Sequence, residues 1–334
     1  MKLENKTILI TGGTGSFGHC FTKYVLEHYN PKKLIIYSRD EFKQFNMENE
    51  PIYKEHASQM RFFIGDVRDG ARLERAMEGV DYVIHAAALK QVPACEYNPV
   101  EAIKTNVTGA ENVINAALNC GVKRVVALST DKAVKPANLY GATKMVSDKL
   151  FIAANAYSGS KDINFSIVRY GNVAGSRGSI IPVFKKLIEE GATELPITDY
   201  RMTRFWISLE EGVELVIKAL TEANGGETFI SKIPSFNIKD LAEAMKPGIG
   251  TCEIGIRPGE KLDEVMITPE DSPFTYEYDK HFIVYPQIVY NDKQTPDLSG
   301  KKVPDGFEYS SGTNAQWMSV EEIRNRLVEA EKEI

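Results

Sequence analysis

The chain has 334 residues, with 40 Lys and Arg against 46 Asp and Glu, so its formal net charge is −6. This balance excludes a broad basic surface for nucleic acid or an anionic membrane and favours a small-molecule substrate. No apolar run approaches the roughly 20 residues of a membrane span, and no His/Cys/Asp cluster suggests a metal. The cysteines form no CxxC pair, which indicates reduced thiols and a cytoplasmic location; they are Cys20, Cys95, Cys120 and Cys252.

Short apolar runs alternate with segments of helical periodicity in the first half of the chain. Strands are predicted at residues 7–11, 33–37, 60–64, 82–86, 124–129 and 165–170. Continuous apolar strands separated by helices indicate a parallel sheet that is covered on both faces. The predicted fold class is therefore α/β, a doubly wound parallel sheet of the Rossmann type with a smaller α/β substrate domain.

The alternation stops after Tyr170, where prolines punctuate shorter elements. A helix at 210–223 and a strand at 227–231 suggest that the chain returns once to the large domain. We therefore predict a cofactor-binding domain of residues 1–175 plus about 207–233, and a substrate domain of residues 176–206 plus 234–334. Ser319 and Glu322 have the spacing of a capping box, which predicts the start of a final helix.

A glycine turn follows the first predicted strand. Gly12, Gly15 and Gly18 have the spacing in which a pyrophosphate can approach the first turn of a helix, where free N–H groups and the helix dipole favour an anion. This position after the first of six strands predicts a dinucleotide site rather than an ordinary tight turn. The remaining predicted contacts in this turn are Thr14, Ser16 and Phe17.

The end of the second strand indicates which dinucleotide is bound. An acidic residue is usual there when NAD is the cofactor, but this chain has Ser38 and Arg39, followed by Lys43. Because a guanidinium suits phosphate geometry, we predict NADP; the alternative is that Asp40 binds the ribose. Asp66 and Val67 can bracket the adenine, and the small residues from Ala86 leave space beside the cofactor.

The residues after the fifth strand carry the predicted chemistry. Thr130, Tyr140 and Lys144 have the spacing by which a hydroxyl orients a carbonyl, a phenol exchanges a proton, and an ammonium lowers the phenol pKa and holds the cofactor ribose. Asp131 and Lys132 then form an additional acid and base. Plain oxidation does not need them, so they indicate a ketone that acidifies a neighbouring C–H bond and leads to loss of water. The less interesting alternative is a surface ion pair after a strand.

The chain resembles the extended short-chain dehydrogenase/reductase family along essentially its whole length. The Thr130-Asp131-Lys132 sequence resembles the nucleotide-sugar 4,6-dehydratases within that family. Further motifs make the chain similar to the C5-inverting UDP-N-acetylglucosamine 4,6-dehydratases of pseudaminic acid biosynthesis; these motifs lie at residues 86–90, 96–99, 169–173, 175–179, 201–206 and 256–261. The intact Tyr140 separates it from related membrane-tethered and capsular dehydratases.

The resemblance implies a sequence of proton transfers. Tyr140 takes the C4 hydroxyl proton as NADP accepts a hydride, while Thr130 binds the new ketone. Lys132, with a pKa lowered by desolvation, removes the C5 proton, and Asp131, protonated by burial, assists loss of the C6 hydroxyl. Hydride then returns to C6, and C5 is protonated on the opposite face.

The resemblance also implies further contacts and a UDP-sugar partner. Additional cofactor contacts are expected from Lys90 and Val173, beside Tyr140 and Lys144. Expected substrate contacts are Lys90, Asn172, Arg177, Gly178, Ser179, Ile180, Ile181, Thr198, Arg204, Arg257 and Glu260. A homo-oligomer, dimer or hexamer, is expected.

Some residues favour other interpretations or depart from the family pattern. Phe205 and Trp206 are predicted to be core residues, as is His85. Gln91 and Asp263 stand where the family commonly has His, which bears on substrate preference. Two other functions compete with this interpretation. One is a UDP-hexose 4-epimerase, which does not require an Asp-Lys pair, and the other is a non-catalytic NADP-binding regulator.

Overall fold

The computed structural model describes residues 3–173, 180–288 and 299–333. Its strands are β1 (Thr7–Thr11), β2 (Lys33–Ser38), β3 (Met60–Ile64), β4 (Tyr82–His85), β5 (Arg124–Thr130), β6 (Asn164–Tyr170), β7 (Glu194–Ile197), β8 (Thr203–Phe205), β9 (Thr228–Ser231), β10 (Ser235–Asn237), β11 (Gly250–Glu253), β12 (Val265–Ile267), β13 (Thr275–Glu277), β14 (His281–Val284), β15 (Lys301–Lys302) and β16 (Tyr309–Ser310).

The helices lie mainly between the strands of the large sheet. They are α1 (Ser16–His28), α2 (Glu41–Glu48), α3 (Pro51–Glu55), α4 (Gly70–Met77), α5 (Val92–Tyr97), α6 (Pro99–Ile103), α7 (Gly109–Cys120), α8 (Leu139–Tyr157), α9 (Ile180–Glu189), α10 (Leu209–Glu222), α11 (Ile238–Met245) and α12 (Val320–Glu333). No helix in the described ranges is both long enough and apolar enough to cross a membrane.

The large sheet is parallel over most of its width. Strands β3, β2, β1, β4, β5, β6 and β9 pair in this order, all in parallel. This order reverses its direction between β1 and β4, so the loops after these strands diverge and leave a crevice at their carboxyl ends. The predicted α/β fold class is confirmed, and the six predicted strands match the observed ones to within one residue at each end.

Two apolar layers cover the sheet. Ile8 and Ile10 of β1 face one layer, which includes residues of α1 and α10. Leu9, between them, faces the other layer, which includes residues of α4, α7 and α8. Because side chains alternate along a strand, a continuous apolar run supplies both layers at once. His85 of β4 is buried among these residues, as predicted.

A third apolar cluster has its own set of elements and is built from α9, β7, α11 and α12. Trp206, Leu241 and Ile323 are buried there. The predicted capping box begins this last helix: the Ser319 N–H donates to Glu322 Oε2 at 2.8 Å, and the Glu322 N–H donates to Ser319 Oγ at 3.3 Å. This cluster supports the predicted smaller domain, but the division into two domains stays a prediction.

One predicted boundary differs from the structure. Residues from 234 onward were all assigned to the smaller domain, yet β14 pairs antiparallel with β9 and is followed outward by β13 and β15. These short strands therefore extend the large sheet to ten strands. The physical reason is the edge of β9, whose backbone groups require a partner.

Candidate active site

The glycine turn after β1 leaves room for an anion at the start of α1. Gly12 has a φ of +68°, and a Cβ there would lie 2.9 Å from the Ala87 backbone, so a larger residue would displace the neighbouring loop. No described side chain caps α1, whose N-cap is Gly15. Its first N–H groups therefore remain available to a pyrophosphate. Thr14 is fixed nearby by a 2.8 Å hydrogen bond between its Oγ1 and Ser38 Oγ. Ser16 and Phe17 open the helix, and Gly18 is buried in its first turn.

The residues after β2 divide into paired and available groups. Asp40 caps α2 by accepting the Lys43 N–H at 3.0 Å, and its carboxylate also lies 3.2 Å from the Lys43 ammonium. Arg39 has a side chain that is 56% exposed, with Nη1 3.7 Å from Asp66 Oδ2. Arg39 thus keeps more than half of its side chain exposed, whereas the Asp40 carboxylate is engaged by Lys43.

Asp66 and its neighbours form the wall beside Arg39. Burial opposes ionisation of the Asp66 carboxyl, but hydrogen bonds from Arg68 and the charge of Arg39 outweigh it and hold the pKa below its usual range. Val67 is buried, and the Tyr37 hydroxyl donates to the Asp66 carbonyl at 2.9 Å. The region thus presents an arginine, an anchored carboxylate and an apolar surface together.

Thr130, Asp131 and Lys132 lie where β5 ends and a short 3-10 turn begins. Thr130 Oγ1 donates to Asp131 Oδ1 at 2.9 Å, and Lys132 Nζ donates to the same oxygen at 3.1 Å. Lys132 Nζ also donates to Asn172 Oδ1 at 2.8 Å. Asp131 is fully buried, and its Oδ2 has no hydrogen-bond partner among the described residues. Asp131 and Lys132 therefore form a pair at the carboxyl end of the sheet, with the carboxylate buried, and not a surface ion pair.

Helix α8 brings Tyr140 and Lys144 beside this turn. Asn138 caps the helix by accepting the Gly141 N–H at 2.9 Å. A Cβ at Gly141 would lie only 2.0 Å from the Lys132 carbonyl oxygen, so glycine is required for the turn to pack on the helix. Residues 140 and 144 are one helical turn apart and share a face.

The pKa values of this helix follow from burial. Burial raises the pKa of the Tyr140 phenol to about 12, although the Lys132 charge and a Thr130 hydrogen bond both lower it. The prediction of a lowered phenol pKa is therefore wrong, because desolvation outweighs the nearby cation. Burial lowers the pKa of Lys144, and the charge of Asp148 opposes that effect.

The predicted direction for Lys132 is also wrong. Burial disfavours the ammonium, as expected, but the carboxylates of Asp131 and Glu264 outweigh this and raise the Lys132 pKa above its usual range. Glu264 Oε1 lies 3.6 Å from Lys132 Nζ. No sequence motif assigns a role to this second carboxylate, which lies 132 residues away along the chain.

The predicted substrate residues have different surroundings. Lys90 and Arg257 are exposed, and Glu260 carries a buried Oε2 without a hydrogen-bond partner among the described residues. Arg204 is buried, and its Nη1 donates to the carbonyls of Thr203 and Leu262 at 2.6 and 3.0 Å. Its guanidinium thus already binds the backbone.

The remaining predicted contacts are only partly described. Ile180 and Ile181 begin α9 and are partly buried, Thr198 follows β7, and Val173 forms a bridge with Ile207. Ala86 directly follows β4 and is partly buried against the core. Arg177, Gly178 and Ser179 lie outside the described residues.

Several site residues were not anticipated. Ser129 Oγ donates to Asp148 Oδ2 at 2.6 Å in the buried layer beside Lys144, and burial raises the Asp148 pKa. Asn106 binds both the N–H and the carbonyl of Leu89 at 2.8 Å, which fixes the loop before Lys90. Asn106 lies in a π-helical turn with other polar residues, among them Lys104, Thr105 and Thr108, so no local sequence signal distinguishes it.

The comparisons with known proteins agree with this geometry. Residues 8–286 match the family described as polysaccharide biosynthesis protein. The chain is 58% identical over 327 residues to the UDP-N-acetylglucosamine 4,6-dehydratase (inverting) of Campylobacter jejuni subsp. jejuni serotype O:2, with 96% of each chain covered. It is 46% identical over 274 residues to the UDP-glucose 4-epimerase of Rickettsia typhi, with 80% of this chain and 79% of the other covered.

A solved structure shows the same architecture. The X-ray structure of Pen from Bacillus thuringiensis superposes with a TM-score of 0.88 at 39% identity and covers 98% of this chain and 100% of that one. The near-complete coverage extends the likeness from the cofactor-binding sheet to the smaller cluster. The chain belongs to the polysaccharide biosynthesis protein family, within the extended short-chain dehydrogenases/reductases that include the inverting UDP-N-acetylglucosamine 4,6-dehydratase.

Proposed function

We propose that this protein is an NADP-dependent, C5-inverting UDP-N-acetylglucosamine 4,6-dehydratase, a hydro-lyase. It converts UDP-N-acetylglucosamine to UDP-2-acetamido-2,6-dideoxy-β-L-arabino-hex-4-ulose. The observation that carries the proposal is the partly buried contact of 3.1 Å between Lys132 Nζ and Asp131 Oδ1, directly beside Thr130 and Tyr140. The similarity to the inverting dehydratase over 96% of the chain supports the substrate.

Oxidation at C4 depends on the first three residues of the site. When bound, the nicotinamide accepts a hydride from C4 and later returns it to C6. Tyr140 takes the proton of the C4 hydroxyl as the phenolate; burial raises the pKa of the phenol, and the charge of Lys132 and a hydrogen bond from Thr130 partly offset that rise. Thr130 redirects its single hydroxyl proton from Asp131 Oδ1 to the new ketone oxygen. We assign the cofactor ribose to Lys144, which is buried one turn along the helix.

Elimination depends on a proton shift within the Asp131–Lys132 pair. In the ion pair, Lys132 already holds a proton and cannot act as a base. Transfer of that proton to Asp131 gives a neutral amine and a carboxylic acid, the two forms that the reaction needs. Lys132 then takes the C5 proton, Asp131 protonates the C6 hydroxyl, the C6–O bond breaks and water leaves. The ion pair is thereby restored, and one proton remains on Tyr140. As the hydride returns to C6, C5 takes up one proton on the opposite face, which closes the proton balance of the cycle.

The cofactor preference is inferred from the end of β2. Arg39 is half exposed, whereas Asp40 is occupied by the α2 cap and by Lys43. The first residue after β2 is therefore an arginine, which can bind the 2′-phosphate of NADP. No free carboxylate stands at that position to bind the ribose 2′-hydroxyl of NAD. We infer that NADP binds in preference to NAD.

The substrate contacts are inferred from cations and a carboxylate around the catalytic pair. Lys90 and Arg257 are exposed and can contact the diphosphate, together with Arg177. The unpartnered Oε2 of Glu260 is suited to a ribose hydroxyl. We assign Asn172 to the sugar, because its Oδ1 accepts a hydrogen bond from Lys132 Nζ. Further contacts are assigned to Gly178, Ser179, Ile180, Ile181 and Thr198; the predicted contact of Arg204 is not assigned, because its guanidinium is bonded to backbone carbonyls.

The wider context follows from the same proposal. The 4-keto-6-deoxy product would enter pseudaminic acid biosynthesis as its first intermediate and serve the modification of flagellin or surface glycans. We propose a cytoplasmic homo-oligomer, dimer or hexamer, that works without nucleic acid or membrane partners.

An epimerase is the second candidate, because one relative with 46% identity bears that name. Both reactions begin with C4 oxidation, but an epimerase returns the hydride to C4 and does not need the Asp131–Lys132 pair. NMR of the product formed from UDP-N-acetylglucosamine in deuterated water separates them. A 4-keto-6-deoxy sugar with deuterium at C5 supports the dehydratase, whereas a C4 epimer without C5 deuterium would contradict it. The absence of any turnover would instead favour a non-catalytic regulator.

A further inference from the structure

Glu264 is a buried carboxylate that the steps above do not use. It directly precedes β12 and is 3% exposed. Its backbone is fixed on both sides by Ser311: the Glu264 N–H donates to Ser311 Oγ at 2.9 Å, and the Ser311 N–H donates to the Glu264 carbonyl at 2.8 Å. The side chain therefore enters the site from a rigid position.

The carboxylate lies between two cations. Glu264 Oε1 is 3.6 Å from Lys132 Nζ and 3.7 Å from Arg204 Nε. Arg204 is held by backbone carbonyls through its terminal nitrogens. Glu264 Oε2 is buried and has no hydrogen-bond partner among the described residues. Because burying an unpaired carboxylate oxygen costs free energy, its retention at this point needs an explanation.

We propose that Glu264 is a positioning residue that acts through Lys132, holding its amine in the site and stabilising the positive charge that it gains on taking the C5 proton. This inference rests on the proposed dehydratase function and assigns a further residue to it. Glu264 itself exchanges no proton with the sugar.

The order of proton transfers explains why a second carboxylate is useful. The C4 ketone acidifies C5, so the C5 proton leaves before the C6–O bond breaks. At that moment Lys132 is charged while Asp131 still carries the proton destined for the hydroxyl. Among the described residues, Glu264 is then the remaining carboxylate within 4.0 Å of Lys132 Nζ. Other groups that face this ammonium are Asn172, the Tyr140 phenol and the cations Arg204, Lys261 and Lys90.

The test replaces Glu264 by Gln, which keeps the size of the side chain and removes its charge. We expect C4 oxidation to persist, seen as reduced-nicotinamide absorbance in a single turnover. Deuterium exchange at C5 should fall by about 10- to 100-fold at high pH. Without the carboxylate, Lys132 releases its proton more easily, so the rise of the exchange rate with pH should level off about one to two units lower.

Two further variants control for structure. Glu227→Gln removes another buried carboxylate, which accepts backbone N–H bonds from Asn224 and Gly225, and it should leave both the rate and the pH profile unchanged. Glu264→Asp keeps the charge and should keep the pH profile of the unmodified protein. If Glu264→Gln fails to fold, Glu264→Asp replaces it in the test. A shifted pH profile of C5 exchange in the folded Asp variant would contradict the positioning role of Glu264.

The outcomes are distinct. An unchanged exchange rate in Glu264→Gln, or a loss of the same factor at every pH, would overturn the inference and assign Glu264 a structural role only. If the unmodified protein formed no 4-keto-6-deoxy sugar, the proposed function and this inference would both fall. A product from the unmodified protein, with a shifted profile in the Gln variant alone, supports both.

Discussion

Two lysines of the site experience opposite electrostatic surroundings. Lys132 contacts Asp131 and Glu264, which outweigh its burial and raise its pKa. Lys144 is buried with weaker compensation from Asp148, and its pKa is lowered. One lysine is therefore a fixed cation that needs a proton acceptor before it can act as a base. The other loses its proton more readily than an ordinary lysine.

Tyr140→Phe tests the assignment of the C4 proton. The change removes the hydroxyl while keeping the ring, so we expect folding and NADP binding to persist. Turnover should fall by roughly 10²- to 10⁴-fold, the usual contribution of a positioned acid or base. Steady-state kinetics with UDP-N-acetylglucosamine measures it, and Tyr157→Phe, at an exposed position of the same helix, serves as the control. Near-normal turnover by Tyr140→Phe would contradict the role.

Arg39→Asp tests the cofactor preference. A carboxylate at this position repels the 2′-phosphate, so NADP binding should weaken by about 10- to 100-fold while NAD binding does not. Calorimetry with both dinucleotides measures the change. Arg75→Asp, which alters the charge equally at an exposed position of α4, should affect neither. Tighter binding of NAD than NADP by the unmodified protein would refute the inference.

At the scale of elements, the packing of the Lys132 turn on α8 places the acid and base beside the phenol. Gly141 makes this contact possible, because its missing Cβ leaves space for the Lys132 carbonyl. Asn138 and Lys261 add contacts from the other side: Asn138 Nδ2 donates to the Gly259 carbonyl at 2.8 Å, and Lys261 Nζ to the Val134 carbonyl at 2.6 Å. The segment 257–264 is thereby docked on the catalytic turn.

Gly141→Ala should therefore damage both stability and catalysis. The new methyl group would displace the Lys132 turn, with a loss of at least about 2 kcal/mol in the free energy of unfolding. Gly212→Ala is a matched control within α10, because the nearest atom to its Cβ is 3.9 Å away. That variant should be neutral or more stable by about 0.5–1 kcal/mol. Urea denaturation measures both, and equal stability of the two variants would contradict this account of the turn.

The sequence predicted elements well where local pattern decides them. The strands β1 to β6 are continuous apolar runs, so their position follows from burial on both faces. Strands β13 to β15 are two to four residues long and mix polar with apolar side chains, and they join the large sheet through the pairing of β14 with the edge of β9. Thr130, Asp131, Lys132, Tyr140 and Lys144 were found from their spacing. Glu264 was not, because its role depends on a contact that the chain makes only after folding.

At the scale of the whole molecule, a buried histidine ties stability to pH. Burial and the charge of Lys144 lower the pKa of His85 to about 3, although its Nδ1 is hydrogen-bonded to Thr11 Oγ1 at 2.9 Å. In the unfolded chain a histidine has a pKa of about 6.5. Neutral His85 therefore stabilises the fold fully above that value, and the contribution is lost progressively as the pH falls toward 3.

His85→Asn should reduce this pH dependence. Between pH 7 and pH 5 the histidine is protonated in the unfolded state but stays neutral in the folded state. The free energy of unfolding of the unmodified protein therefore falls by about 2 kcal/mol through His85. The variant lacks that contribution, while groups such as His281 and Asp148 act equally in both proteins. Urea denaturation at pH 7 and pH 5 measures the free energy of unfolding. Its decrease between the two pH values should be about 2 kcal/mol smaller in the variant than in the unmodified protein. Equal losses would place the histidine pKa near its ordinary value.

The central claim is that the Asp131–Lys132 pair carries out the elimination while Thr130, Tyr140 and Lys144 serve the oxidation. Lys132→Met tests it most directly, with Lys135→Met, an exposed lysine three residues along, as the control. In a single turnover in deuterated water, Lys132→Met should form reduced nicotinamide, yield no 6-deoxy product and leave C5 protonated in the recovered substrate. Deuterium at C5 at the rate of the unmodified protein would show that the base lies elsewhere and would contradict the account.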